Sequence, residues 1–378
     1  MFHANLKLSE KSNSLMNRLH WKKFGVDLYG GVLHDNGLGD VSRAIERSLN
    51  NTKVDHTVTP HLATLKYSMP NRYPINIIVG GAESSIGVSN VHHIPRDEYT
   101  IGVWFWELED YFPWVKAYDY VDEIWCFSKF CQDVFTKFRP DNCKVPIYKM
   151  SYPIIDHELL NHYKLCMDYN LDPSTYMFLY SFDFYGSIER KNPYAVVNAF
   201  ISAFGNNKDV TLVIKSVFGE KFPAKLSEFK NYIRNFPNII FIDQMMDKVE
   251  FLTLINLCNC YVSLHRSEGL GIGMMEAMYY GKPVIATGYG GSMEFTEPSL
   301  CNLVPYTLEN VLTDQCYYNP GSLWADPKVI DAAKIMQDVY KGKHAPSKMI
   351  SDYIVDNFNQ QTLDHQIFNR LRFIKNLI

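Results

Sequence analysis

Two acidic residues, Glu268 and Glu276, stand with seven residues between them around alternating glycines, Gly269, Gly271 and Gly273, in the run HRSEGLGIGMMEAMYYGKPVIATGYGG. Glycines in a strand-to-helix turn let successive backbone N–H groups turn onto phosphate oxygens. The helix that follows adds the partial positive charge of its N-terminus. Glu276 falls in the first turns of that helix, where a carboxylate can accept two hydrogen bonds from a vicinal diol such as a ribose. Glu268 precedes the glycines and can face whatever is attached beyond the phosphates. The plainer alternative is two helix-capping acids flanking a glycine turn. A second feature is the adjacent cation pair Arg190-Lys191 in SFDFYGSIERKNPYAVVNAF. It lies in a loop after a strand, where open α/β sheets bind ligands, and a diphosphate is its natural partner; a solvated charge pair is the other reading. A third is Gly37-Leu38-Gly39, after the strand FGVDLYGGV and before a helix with Val41, Ala44, Ile45 and Leu49 on one face. That turn could approach an anion or be only a tight turn. Ser42 stands where a dinucleotide fingerprint wants a third glycine, which demotes a nicotinamide or flavin oxidoreductase.

The elements that position these residues alternate. FGVDLYGGV, INIIVGG, TIGVWFW and EIWCFS read as strands, and VSRAIERSL and KFCQDVFTKF as helices. After a polar, irregular stretch from Pro153 to Thr175, MFLYSFD, TLVIKS, NIIFID, CYVSLH and KPVIAT are strand-like. Helical spacing lies between them in NPYAVVNAFISAF, EFLTLINLC and GMMEAMYYG. Strands alternating with helices predict parallel sheets wound by crossovers, here in two similar α/β units. From Ser351 to Ile378, Leu363, Ile367, Phe368, Leu371, Ile374 and Leu377 predict a closing amphipathic helix.

Composition narrows the function classes. The 378 residues are 47% apolar and 21% charged, which disfavours disorder and coiled coil. With 37 Lys and Arg against 41 Asp and Glu, the net charge of −4 gives no footprint for nucleic acid, so no nucleic-acid partner is expected. The eight cysteines show no zinc-like spacing around Cys258 and Cys260 and fit reduced thiols. No run approaches a membrane span or a signal peptide, so a cytoplasmic protein is expected. Residues 1–23 mix Leu6, Leu8, Leu15, Met16 and Leu19 with Lys7, Lys11 and Arg18. Such a segment could lie on the inner face of an anionic membrane or pack on its own domain.

The segment SLHRSEGLGIGMMEAMYYGKPVIATGYGGSMEF resembles the signature of retaining glycosyltransferases of the GT-B fold, family 4, also described as glycosyl transferases group 1. FGVDLYGGVLHDNGLGDVSRAI is similar to that family's first strand and glycine loop, TIGVWFWELEDYFPWVKAYDYVDEIWCFSKFCQDVF to the segment before its linker, and SIERKNPYAVVNAF to its Arg-Lys phosphate clamp. The resemblance implies two Rossmann-like α/β domains with parallel sheets facing across a cleft. With the amphipathic extension read at 1–23, the domain plan is then an acceptor-binding domain at 24–155, a linker at 156–174, a nucleotide-sugar-binding domain at 175–350, and a helix at 351–378 that the resemblance returns to the first domain.

Carried over, Arg190 and Lys191 would hold the diphosphate and Glu276 the ribose. Glu268 with the backbone of Gly269, Leu270, Gly271, Ile272 and Gly273 would hold the donor sugar and phosphates, and Gly37 and Gly39 would contact phosphate from the first domain. Glu107 and His34 are candidates for the acceptor, although Glu107, Glu109 and Asp110 also read as a solvated helix start. His34 and His265 lie beside the two glycine loops as contacts or as satisfied histidines. No Asp-x-Asp occurs in the chain, so no metal is expected and side-chain cations take the metal's work; no cofactor beyond the donor is implied. The implied activity is retaining transfer of a hexose from a nucleoside-diphosphate sugar to a glycan or lipid-linked saccharide, in polysaccharide or lipopolysaccharide synthesis. Overall likeness to bacterial polysaccharide mannosyltransferases leans it towards mannose from GDP-mannose. The alternative is a catalytically inactive glycan- or nucleotide-binding protein on the same fold.

Overall fold

The computed structural model describes residues 23–60, 72–312 and 318–378. The expected amphipathic extension lies, except for Lys23, outside the described residues, as does Cys316. Two compact units divide the chain: residues 1–106, 112–153 and 358–378 form the first, and 107–111 with 154–357 the second.

The first unit is one parallel sheet of β1 (Val26–Gly30), β2 (His56–Pro60), β3 (Ile75–Val79), β4 (Tyr99–Val103), β5 (Glu123–Cys126) and β6 (Ile147–Lys149), in the order β2-β1-β3-β4-β5-β6. Every residue of β1, β3 and β5 is buried, as a parallel sheet covered on both faces requires. Helix α1 (Gly37–Asn51) starts where the Asn36 side chain accepts from the Gly39 amide at 2.9 Å, and it buries Val41, Ala44, Ile45 and Leu49. α2 (Ala82–Val91) and α3 (Lys129–Phe138) complete the crossovers. The terminal helix Gln360–Lys375 lies against α1, with the Gln360 amide donating to Ser48 Oγ at 2.7 Å and Asn51 donating to Asp364 at 2.8 Å.

The second unit repeats the plan. β7 (Tyr176–Asp183), β8 (Val210–Val217), β9 (Ile239–Asp243), β10 (Cys260–Ser263), β11 (Val284–Thr287) and β12 (Asn302–Val304) are parallel in the order β12-β11-β10-β7-β8-β9. Its helices are α4 (His162–Tyr169), α5 (Pro193–Phe204), α6 (Pro223–Ile233), α7 (Lys248–Leu257), α8 (Ile272–Tyr279), α9 (Val329–Tyr340) and α10 (Ser347–Asn357). The even-numbered side chains of β7 and β8, Phe178, Tyr180, Phe182, Leu212 and Ile214, form one apolar core with Val196, Phe200, Phe229 and Met336. The odd-numbered residues face the other way, and near the carboxyl ends they turn polar as Ser181, Asp183 and Lys215. An antiparallel hairpin of β13 (Tyr306–Asn310) and β14 (Leu323–Pro327) is added beside this sheet plan.

Three expected boundaries differ. The stretch expected as an irregular linker contains α4, started by the Asn161 side chain accepting from the Tyr163 amide at 2.8 Å and stopped by Asn170 in the left-handed region. The closing helix expected over 351–378 is two helices, because Asn359 accepts from the Thr362 amide at 3.0 Å and caps a new one; α10 remains with the second unit. The Glu107–Tyr111 segment, expected in the first domain, clusters with the second unit. The Glu107 carbonyl accepts from the Ser267 hydroxyl, and the Asp110 carboxylate accepts from the Leu323 amide at 3.0 Å. Among the described residues no helix is long and apolar enough to cross a membrane.

Glu123 is fully buried at the start of β5 and accepts from Trp125 Nε1 at 2.6 Å, Tyr99 Oη at 2.8 Å and Arg370 Nη2 at 2.5 Å. Removing one partner of a buried pair strands the other's charge. Arg370→Ala is expected to cost about 3 kcal/mol or more in urea unfolding, and a loss below about 1 kcal/mol would show that the pair does not anchor the terminal helix.

Candidate functional site

The site grows from two loops at the carboxyl end of the second sheet. After β7, Asp183 accepts from the Gly186 amide, and Ser187, at φ 64°, opens a single helical turn, Ile188–Lys191. Asn192, in the left-handed region at φ 56°, ends that turn and begins α5 with Pro193 as the first helical residue. The Asn192 side chain donates to the Leu264 carbonyl at 3.0 Å, the Arg266 amide to the Arg190 carbonyl at 2.8 Å, and Arg266 Nη1 to the Glu189 carbonyl at 2.6 Å. These bonds bind the Arg190 turn to the loop after β10, so residues more than seventy positions apart become one surface.

Arg190 is only 4% exposed. Its Nε donates to the Gly186 carbonyl at 3.1 Å and its Nη1 to the Ser267 carbonyl at 2.8 Å, which fixes the plane of the guanidinium. Nη1 also lies 3.4 Å from Glu268 Oε2, and Nη2 lies 3.8 Å from Glu107 Oε1. Burial opposes its charge, but Tyr318, Glu107, Glu268 and Asp183 outweigh it and raise the pKa above the ordinary arginine value. Lys191 Nζ pairs with Glu268 Oε1 at 2.6 Å. Burial likewise works against the Glu268 carboxylate, yet Lys191 and Arg190 hold its pKa down at about 2.

The glycine turn is imposed by sterics. Gly271 sits at φ +90°, and Gly291 runs so close to the loop that a Cβ there would stand 1.9 Å from the Gly269 carbonyl oxygen. The Gly291 amide donates to the Glu268 carbonyl at 2.6 Å, clamping the backbone that carries the acid. Helix α8 starts after Gly271 with no side-chain cap; the Met274 amide is taken by the Gly271 carbonyl, and the Ile272 and Gly273 amides ahead of it face the end where an anion can bind. Gly273 makes room for the Tyr261 ring, whose hydroxyl would lie 2.8 Å from a Cβ at that position. Glu276, in the second turn of α8, is buried and paired with Lys248 Nζ. His265 is fully buried: Nε2 meets the Tyr289 carbonyl at 3.2 Å and must donate to it, leaving Nδ1 to accept from Ser263 Oγ at 3.0 Å. Burial lowers its pKa, in keeping with this neutral, satisfied ring.

Arg190, Lys191, Glu268, the Gly269–Gly273 backbone and Glu276 therefore share one end of one sheet. Glu107 joins them through Arg190 and through Tyr318, whose buried hydroxyl lies 3.1 Å from Glu107 Oε2. Gly37, Gly39 and the exposed His34 belong to the first unit. There the Gly39 amide is taken by the Asn36 cap, and a Cβ on Gly39 would stand 1.9 Å from the His34 carbonyl oxygen, a close approach that itself demands glycine. Sequence reasoning missed Lys248 and Tyr318. The first stands at the opening of α7, where an Asp247–Glu250 capping box was a readable sign of a helix start. The second sits in the connection of the β13–β14 hairpin, which carries no signal linking it to Arg190.

Residues 182–303, which contain both loops, match the family model described as "Glycosyl transferases group 1". No curated protein matches the chain. Among solved structures, HepE of Anabaena in complex with UDP and glucose aligns over 93% of this chain and 100% of its own at 14% identity and a TM-score of 0.63. Sucrose-phosphate synthase of Thermosynechococcus elongatus aligns over 94% and 100% at 12% identity and a TM-score of 0.68. The pneumococcal O-GlcNAc transferase GtfA, in complex with UDP and GlcNAc, aligns over 79% of this chain and 56% of its own, at 17% identity and a TM-score of 0.55. The fold is GT-B, with two Rossmann-like α/β units.

The Glu268 carboxyl titrates at about 2 in the folded chain against an ordinary 4.5, so its stabilising contribution is present above about 4.5 and lost as the pH falls towards 2. At pH 4 about 1 kcal/mol of it is gone relative to pH 7. Urea unfolding at both pH values is expected to show the parent losing about 1 kcal/mol more than Glu268→Gln; equal losses would contradict the ion-paired state.

Proposed function

We propose that the chain is a retaining, metal-independent glycosyltransferase that moves a hexose from a nucleoside-diphosphate sugar to a glycan or lipid-linked saccharide acceptor. The observation that carries this reading is the buried Arg190 guanidinium, fixed by two backbone carbonyls beside Lys191 and Glu268 at an uncapped helix N-terminus. Fixed donors aimed at charge that develops in the transition state are the largest catalytic term in many enzymes. Here that charge develops on the departing diphosphate.

Without donor, the two cations are balanced by Glu268 and Glu107. On binding, Lys191 exchanges Glu268 for a phosphate oxygen, and Glu268 turns to hydroxyls of the donor sugar. With Glu268 engaged on hydroxyls of the donor sugar it is not placed to attack the anomeric carbon, which favours front-face displacement over a covalent sugar–enzyme intermediate. The bond from the anomeric carbon to the phosphate oxygen breaks, the acceptor oxygen bonds to the same face, and its proton passes to the leaving phosphate. Glu276 takes the ribose hydroxyls while Lys248 holds it in place. Residues 1–23 supply any peripheral contact with the membrane.

GDP-mannose is the first donor to test, on overall likeness to polysaccharide mannosyltransferases, and UDP-sugars are the second, because HepE and GtfA hold UDP. Arg190→Ala is expected to lower turnover by about 100-fold or more, measured as sugar transfer by mass spectrometry; activity within a few-fold of the parent would remove the clamp from catalysis. Transfer is expected to persist in excess chelator, and a strict need for added magnesium or manganese would overturn the metal-free reading. Nucleotide binding without transfer from any donor would establish a binding protein instead.

A further inference from the structure

Lys215 stands on the polar end of β8, only 8% exposed. Among the described residues its side chain forms no hydrogen bond and no ion pair. Its Nζ lies 5.4 Å above the ring of Phe251 on α7, and Asp183 and Asp243 reach it only through space. An unpaired buried ammonium costs free energy that a methionine of the same shape would not. A group kept in that state is placed for a partner that is not part of the chain.

Its position says which part of a ligand that partner is. Lys215 is in register with Ser181 of β7, and Ser181 Oγ lies 2.6 Å from the Tyr261 hydroxyl. Tyr261 feels the charges of both Glu276 and Glu268. Lys248, three residues before Phe251 on α7, pairs with Glu276. Tyr261 therefore neighbours both the clamp and the Glu276–Lys248 pair, and Phe251 with Lys215 lies about one turn of α7 from Lys248, while Asp183 acts on both Lys215 and Arg190. With Glu276 on the ribose, Phe251 and Lys215 beside that pair fall to the group the ribose carries besides the diphosphate, which is the base. Phe251 offers a flat apolar face suited to a base, and Lys215 offers only hydrogen-bond donors.

We propose that Lys215 reads the nucleobase, its ammonium donating to a ring carbonyl oxygen, so that uracil and guanine nucleotides are taken in preference to adenine. This rests on the reading of the site as a nucleotide-sugar site. Adenine has no carbonyl and presents an amino group there, setting donor against donor and leaving only ring nitrogens to meet the buried cation. Burial pulls the Lys215 pKa down to about 8, against the pull of Asp183 and Asp243, so the ammonium form still predominates at neutral pH.

The test is calorimetric affinity of UDP, GDP and ADP for the full chain and for Lys215→Met and Lys215→Arg, with thermal unfolding of each. The parent is expected to bind UDP or GDP about 100-fold or more tightly than ADP. Lys215→Met is expected to lose about tenfold or more for the preferred nucleotide while ADP changes by no more than about twofold; Lys215→Arg retains the preference. A parent that takes ADP as well as the others overturns the proposal even if a variant fails to fold, and so does a folded Lys215→Met that keeps the parent's preference. If that preference holds but no sugar is transferred, base reading stands and the proposed activity falls. Transfer with a preference indifferent to Lys215 gives the reverse, and a parent that binds none of the three nucleotides overturns both.

Discussion

A buried guanidinium can be held in one orientation only if its own donors are satisfied and its charge is answered, and Arg190 meets both conditions with backbone carbonyls from two loops, a carboxylate from the second of them and another from the Glu107 segment. Much of the second unit follows from that requirement. The left-handed residues Ser187 and Asn192 fold the Arg190 turn tightly enough to bring its carbonyls and side chains to the β10 loop. The glycines at 271 and 291 let the β10 loop and the segment after β11 lie close enough for Glu268 to be presented from a clamped backbone. The desolvation cost of gathering these charges is offset only because each one has a partner.

The same arrangement divides the sheet by face. The even-numbered positions of β7 and β8 are given to a continuous apolar core that fixes the strands, while the odd-numbered positions become polar near the carboxyl ends. A ligand site in an open α/β sheet needs both properties at once: rigid strands, and donors at their ends that are not consumed by the core. Glu123 with Arg370 gives the first unit its own fixed point, tying the last helix of the chain to the strand next to the sheet edge.

Much of this was legible in sequence where one local rule sufficed. Strands buried on both faces read as apolar runs, and VSRAIERSL showed its helical face because Val41, Ala44, Ile45 and Leu49 recur at helix spacing. The Glu268 and Glu276 spacing and Arg190-Lys191 were visible as chemistry because their neighbours were glycines and a strand end. Features that depend on distant partners were not legible. HTVTP forms the edge strand β2 with no clear apolar run, and YTLEN forms the fully exposed β13, whose stability comes from its pairing with β14. Glu107 read equally as an acceptor contact or a solvated acid, because nothing in WFWELED announces Ser267, Tyr318 or Arg190 as its partners. Lys215 fell inside the strand-like run TLVIKS without being singled out; the register with Ser181 and the Phe251 ring are what draw notice to it.

The central claim is that the Arg190 and Lys191 cluster is a diphosphate site that works through side-chain cations. It is tested most directly by calorimetry of one nucleoside, its monophosphate and its diphosphate in metal-free buffer, using the base the chain prefers. Affinity is expected to rise steeply with phosphate number, by about 100-fold or more from nucleoside to diphosphate. Equal affinity across the three, or a rise that appears only when a divalent metal is added, would contradict it.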